Sequence, residues 1–85
     1  MAYAIQFKPA ALRQLEKLPR QIQKRIASKI EALRGEPFPA GCKKLHGEAN
    51  TWRLRVNDYR VIYQVQAGIL LILVVSIGNR REVYR

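Results

Sequence analysis

The sequence predicts an α+β fold of order β-α-α-β-β-β, a helical hairpin packed on one face of a small, mainly antiparallel sheet. Three observations predict it. From Thr51 to Val56, apolar Trp52, Leu54 and Val56 alternate with charged Arg53 and Arg55, the period of a half-buried strand. Between Pro9 and Leu33, leucines and isoleucines recur at helical spacing. Ile69 to Ile77 is apolar almost throughout, interrupted only by Ser76, the pattern of a central strand covered on both faces.

Each element has its own signal. In Ala2 to Lys8, Tyr3, Ile5 and Phe7 fall on one side of a first strand, which Pro9 ends. Pro9 suits a first helical turn, and Leu12, Leu15 and Leu18 follow on one stripe. Pro19 opens a second helix, with Ile22, Ile26, Ile30 and Leu33 on its stripe, Ala27 beside it, Arg34 in the last turn and Gly35 as the residue after the cap. Glu36 to Asn50 holds two prolines and two glycines without periodicity and reads as a loop. Asn57-Asp58 turns the chain, and Tyr59 to Val65 returns as a strand rich in β-branched and aromatic residues. Ala67-Gly68 reads as a second tight turn, and Gly78 to Glu82 ends the apolar run before the tail Val83-Tyr84-Arg85.

Two-residue turns cannot join parallel neighbours, so the last three strands form an antiparallel meander. The helices must cover one face of it to bury their stripes. The expectation is that the other face, with Arg53 and Arg55, stands open to solvent.

Eighty-five residues are expected to form one domain, 1–85, and with 48% hydrophobic residues a core is possible. The single Cys42 excludes an internal disulfide and suits a reducing cytoplasm. No apolar leader stretch opens the chain, and the longest apolar run is too short to cross a bilayer, so no membrane partner is expected. Sixteen Lys and Arg against six Asp and Glu give +10 at neutral pH. Such a surface seeks a polyanion.

The chemistry is narrowed by what is missing. One His and few acids, with no metal-ligand spacing, give no metal site, and no Gly-rich loop precedes a helix, so no cofactor is expected. Cys42 and His46 share a loop but make a weak nucleophile pair. What remains is arginine. Arg53, Arg55, Arg60, Arg80 and Arg81 lie on or just beyond strands of one sheet. Guanidinium forks bind phosphate through paired, charge-assisted hydrogen bonds. Several around one phosphate stabilise the added charge of a pentavalent transition state. A tyrosine nearby, from Tyr59, Tyr63 or Tyr84, can stack on a base or move a proton, although Trp52 and Tyr63 read first as core. Arg53, Arg55 and Arg60 are also compatible with a phosphate-binding surface that does no chemistry, and Arg81 with a simple pairing to Glu82 or solvent.

The chain resembles the RelE/ParE toxin superfamily, and its RelE branch in particular, over essentially its whole length. The resemblance lies in Met1-Ala-Tyr3, the two-helix hairpin, Lys44-Leu45-His46-Gly47, Trp52-Arg53-Leu54-Arg55, Asp58-Tyr59-Arg60-Val61-Ile62-Tyr63-Gln64-Val65, and Ser76-Ile77-Gly78-Asn79-Arg80 followed by Glu82-Val83-Tyr84. It implies a RelE-like, microbial-RNase-like fold. It also implies a ribosome-dependent endoribonuclease that cuts mRNA in the A site by 2′-hydroxyl attack, without a metal. The residues matching the family's catalytic set are Arg53, Arg55, Arg60, Arg80 and Tyr84. Lys43, Lys44, His46 and Arg81 are the expected RNA-binding residues.

Some relatives carry lysines at the paired positions, where this chain has Arg53 and Arg55. Arginine does not give up its proton, so Arg53 is a poor general base. The resemblance further implies a RelB-type antitoxin as partner, with the ribosome, its 16S rRNA, and mRNA as targets. A gyrase-inhibiting, ParE-like toxin and an RNA-binding module without turnover are the competing expectations.

Overall fold

The computed structural model describes residues 2–79. Its elements are β1 (Ala4–Phe7), α1 (Pro9–Glu16), α2 (Arg20–Ala32), β2 (Lys43–Lys44), β3 (Thr51–Val56), β4 (Tyr59–Gln66) and β5 (Leu71–Asn79). The strands form one sheet of order β1-β5-β4-β3-β2. β3, β4 and β5 are the expected antiparallel meander. β1 joins β5 in parallel, from Ala4↔Leu71 to Phe7↔Val74. A parallel neighbour needs a long connection, and the helices and the meander supply it.

The core lies between the sheet and the helices. Ile26, Ile30 and Leu33 of the second stripe are buried with Val56, Val61, Tyr63, Ile72, Val74 and Ile77. Burying each aliphatic side chain contributes about 1.5–3 kcal/mol. Gln23 closes the helical hairpin. Its Nε2 donates to the carbonyls of Glu16 at 3.1 Å and Leu18 at 2.8 Å, satisfying acceptors at the end of α1.

Several expectations need correction. α1 turns Ala11 to the sheet and leaves Leu12 44% exposed. The small side chain lets so short a helix lie close on the strands. Ala27 is exposed beside the α2 stripe. Gly35 does not take a left-handed cap; the glycines with positive φ are Gly41 and Gly47, in the loop beyond it. That loop carries a strand, β2, paired with β3 through Lys43↔Arg53 and Lys44↔Trp52. Two lysines at a sheet edge have little strand propensity, so only the β3 partner reveals it.

The turn at Ala67-Gly68 is wider than two residues. Ala67–Ile69 forms a 3-10 turn, and Leu70 sits at φ 51. Leu70 offers its carbonyl to the N–H of Ala4 at 2.8 Å, which anchors the start of β1. Ile69 therefore stands 68% exposed outside the strand. Asn57 does turn the hairpin with positive φ, 56°, as an Asn tolerates. Among the described residues no helix is long and apolar enough to cross a membrane.

The candidate nucleic-acid interface

Directly opposed residues of an antiparallel pair share a face. β3 and β4 oppose Arg55 with Arg60 and Arg53 with Ile62. β2 adds Lys43 opposite Arg53, and β5 places Gly78 opposite Arg60. Lys43, Arg53, Arg55 and Arg60 therefore occupy one face of the sheet, away from the helices. Gly78 puts no side chain beside Arg60. The alternation of β3 set this geometry, because its apolar positions had to face the core.

That face is not uniformly open. Arg55 is exposed and Arg53 half-buried. Arg60 is only 6% exposed, and Ile62 and Thr51 on the same face are 7% and 1% exposed. A buried guanidinium across from an exposed one forms a step, with one fork held by its surroundings and the other presented. A groove of about 510 Å³ runs beside it, lined by Ala40, Gly41, Lys43, Arg53, Arg55 and Asn57 among others. A neighbouring cavity of about 470 Å³ shares Lys43 and Arg53 and adds Lys44, Leu45, His46 and Glu48. His46 is exposed there. The structure thus brings the expected RNA-binding residues Lys43, Lys44 and His46 beside Arg53. Lys44 is in register with Trp52 rather than with the arginines. Arg80, Arg81 and Tyr84 lie outside the described residues.

Two tyrosines of the described chain do not serve the site. Tyr59 opposes Val56 on the core side. Tyr63 is fully buried, and its hydroxyl donates to the Pro37 carbonyl at 2.8 Å. Burial pushes its pKa far above the ordinary tyrosine range, and the Cys42 thiol alongside adds to this. Tyr63 is a clamp for the loop 36–50, not a proton carrier. Phe38 of the same loop packs against Trp52 with the rings tilted by 53° and their centroids 4.6 Å apart. The loop that carries Lys43 and His46 is thereby fixed at Pro37, Phe38 and Cys42.

The clamp makes stability depend on pH. Above the ordinary value of 10.0, the unfolded tyrosine loses its proton and the folded one keeps it. The folded state then holds more protons, so stability falls as pH rises. The contribution is fully present below that value and is lost at up to about 1.4 kcal/mol per pH unit above it. In Tyr63→Phe, denaturant midpoints at pH values from about 9 to about 11.5, spanning the ordinary tyrosine pKa, should decline less steeply than in the parent. Parallel declines would remove Tyr63 as the cause.

Sequence reasoning missed β2 and the bulge in β5. It also missed the basic outer face of α2, where Gln21, Lys24, Arg25, Ser28 and Lys29 line a shallow depression. Arg25 there donates to Asn57 Oδ1 at 3.3 Å, linking α2 to the hairpin turn between Arg55 and Arg60. The signal was available, since Lys24, Arg25 and Lys29 lie between the isoleucines of the stripe. No group of three or more His, Cys, Asp or Glu able to hold a metal ion is found among the described residues.

A two-layer α+β fold with cationic side chains gathered on one sheet face defines a class of small proteins suited to a polyanionic partner. Residues 5–84 match the family described as the ParE toxin of the type II toxin–antitoxin system parDE, and the chain belongs to that family. It is 33% identical over 89 residues to the mRNA interferase toxin RelE of Escherichia coli K12, covering 99% of this chain and 92% of that protein. It is 31% identical over 90 residues to toxin RelG of Mycobacterium tuberculosis, covering 100% of this chain and 99% of the other. The crystal structure of an archaeal RelE–RelB complex from Pyrococcus horikoshii OT3 superposes with a TM-score of 0.85 at 28% identity, over 96% of this chain and 99% of that one. The RelE-like fold expected from the sequence is the fold observed.

Proposed function

We propose that this chain is the toxin of a type II toxin–antitoxin pair and that it acts as an endoribonuclease on mRNA in the ribosomal A site. One observation carries the reading. Arg53, Arg55 and Arg60 share one face in cross-strand register, in a chain one-third identical to an mRNA interferase toxin. Phosphate held among such forks is already polarised toward attack.

In the proposed reaction the 2′-oxygen of the substrate bonds to phosphorus and the bond from phosphorus to the 5′-oxygen breaks. The 2′-hydroxyl gives up a proton and the departing 5′-oxygen gains one. The products are a 2′,3′-cyclic phosphate and a 5′-hydroxyl. Arg55 and Arg60, with Arg53 beside them, would orient the scissile phosphate and carry its growing charge. Arg80 completes the cationic set. Tyr84 stacks on or orients the nucleotide and assists proton transfer, a role that Tyr63 is too buried to take. Lys43, Lys44, His46 and Arg81 hold the neighbouring backbone.

A ribosomal target accords with a cytoplasmic protein, and the family match over residues 5–84 supports a single toxin domain, 1–85. A RelB-type antitoxin is the proposed partner, because the similar archaeal RelE is held by a RelB. A partner segment of acidic or amphipathic character suits the +10 charge.

The family description names a ParE toxin, which keeps open the second reading that the resemblance implies, gyrase inhibition. One experiment separates the two. Purified protein is added to a cell-free translation reaction and mRNA ends are mapped by primer extension, beside a gyrase supercoiling assay. Codon-positioned ends that need ribosomes are the expected result. Gyrase inhibition without mRNA ends would replace the nuclease with the gyrase reading, and RNA binding with neither outcome would leave a module without turnover.

A further inference from the structure

Gln14 lies on α1, outside the arginine cluster, yet its side chain is committed to the sheet. Its Oε1 accepts the backbone N–H of Ile77 at 2.8 Å and lies 3.4 Å from Ser76 Oγ. This is where β5 changes phase. On the β1 side, pairing ends at Phe7↔Val74, and the chain turns into α1 at Pro9. On the β4 side, Tyr63 pairs with Val74 but Ile62 pairs with Ser76, so Val75 is skipped. One extra residue in a strand disrupts its ladder and re-aims the side chains beyond it.

The consequence reaches the site. Successive side chains alternate faces, so an unbroken β5 would put Ser76 on the face of Val74 and Ile77 on the arginine face. The bulge reverses this. Ile77 is 1% exposed in the core, and Gly78 falls opposite Arg60. Both depend on the extra residue remaining at Val75. The Gln14 oxygen is what meets the Ile77 N–H where β1 has run out.

We infer that Gln14 is a positioning residue for the reaction: by holding the Ile77 N–H it locks the β5 bulge, and with it the glycine beside Arg60 and the segment leading into Arg80. The inference rests on the nuclease reading. A glutamate at this position keeps an acceptor oxygen at the same reach; alanine and leucine do not.

The test compares Gln14→Ala, Gln14→Leu and Gln14→Glu in single-turnover cleavage of ribosome-bound mRNA. The toxin concentration for half-maximal rate and amide hydrogen exchange at Ile77 are measured alongside. With alanine or leucine the rate at saturating toxin should fall about tenfold, as expected of a small misplacement of catalytic groups. The half-saturating concentration should not move, and Ile77 exchange should accelerate. Glutamate should restore most of the rate and the protection. An unchanged rate in Gln14→Ala with Ile77 deprotected would overturn the proposal. So would losses in all three variants that track only the folded fraction. If alanine and leucine variants do not fold, the glutamate variant decides, since a Gln14→Glu protein that protects Ile77 yet cuts slowly, or leaves Ile77 deprotected yet cuts at the parental rate, contradicts the role. A parent protein that makes no cuts refutes the nuclease reading itself, a result distinguishable from a failure confined to the variants.

Discussion

Replacing Arg60 by Ala should lower single-turnover cleavage about a hundredfold or more, the scale seen when one preorganised donor to a developing negative charge is removed. Arg60 is 6% exposed, so its fork is fixed before substrate arrives and loses little order in the reaction. Arg60→Lys should remain strongly impaired, because an ammonium cannot reproduce a planar two-point grip. Arg55→Gln supplies the control for folding. Arg55 and Arg60 are directly opposed, and like charges in that relation are destabilising. The unfolding midpoint of Arg55→Gln should therefore be unchanged or raised while cleavage falls. A folded Arg60→Ala protein that cuts at the parental rate would take this residue out of the site.

Raising salt from about 50 to about 200 mM should weaken binding to single-stranded RNA by roughly fiftyfold. The estimate takes about 0.7 in the log–log slope for each of four phosphates neutralised on a single strand. Lys43, Arg53, Arg55 and Arg60 are the four groups brought to one face. Arg55→Gln should flatten the slope by about 0.7, the contribution of one phosphate contact. A steeper parental slope that Lys24→Ala or Lys29→Ala relaxes would bring the α2 face into contact as well. Binding insensitive to salt would contradict a phosphate-led interface altogether.

Much of this site is legible in the residue pattern, for a particular reason. Trp52, Leu54 and Val56 have nowhere to go but the core, so Arg53 and Arg55 are assigned to the opposite face by the pleat alone. Asn57-Asp58 then fixes how β4 returns, which puts Arg60 across from Arg55. The isoleucines of α2 identify the helical layer in the same way. Where expectation failed, the deciding contact was distant in sequence. Lys43 and Lys44 form a strand only because β3 is there to pair with. Leu12 lost its place to Ala11 because close approach of α1 to the sheet selects the smaller side chain.

The β5 bulge is a partial exception. Ile72, Val74 and Ile77 are buried at spacings of two and then three, a break in period that Ser76 marks in the sequence. Alone, that break reads as an interrupted apolar run; only the register with β4 and the oxygen from Gln14 turn it into a phase change.

Residue order was enough to establish the layers, the hairpin, the cationic character and the face on which the first two arginines stand, because alternation and helical periodicity are local consequences of backbone geometry. It took the packed chain to establish that Arg60 is buried while Arg55 is exposed, that Tyr63 clamps a loop rather than moving protons, and that β5 shifts phase beside α1. Those properties depend on what lies across a strand or above a face, and neighbours in space are chosen by packing of the whole chain.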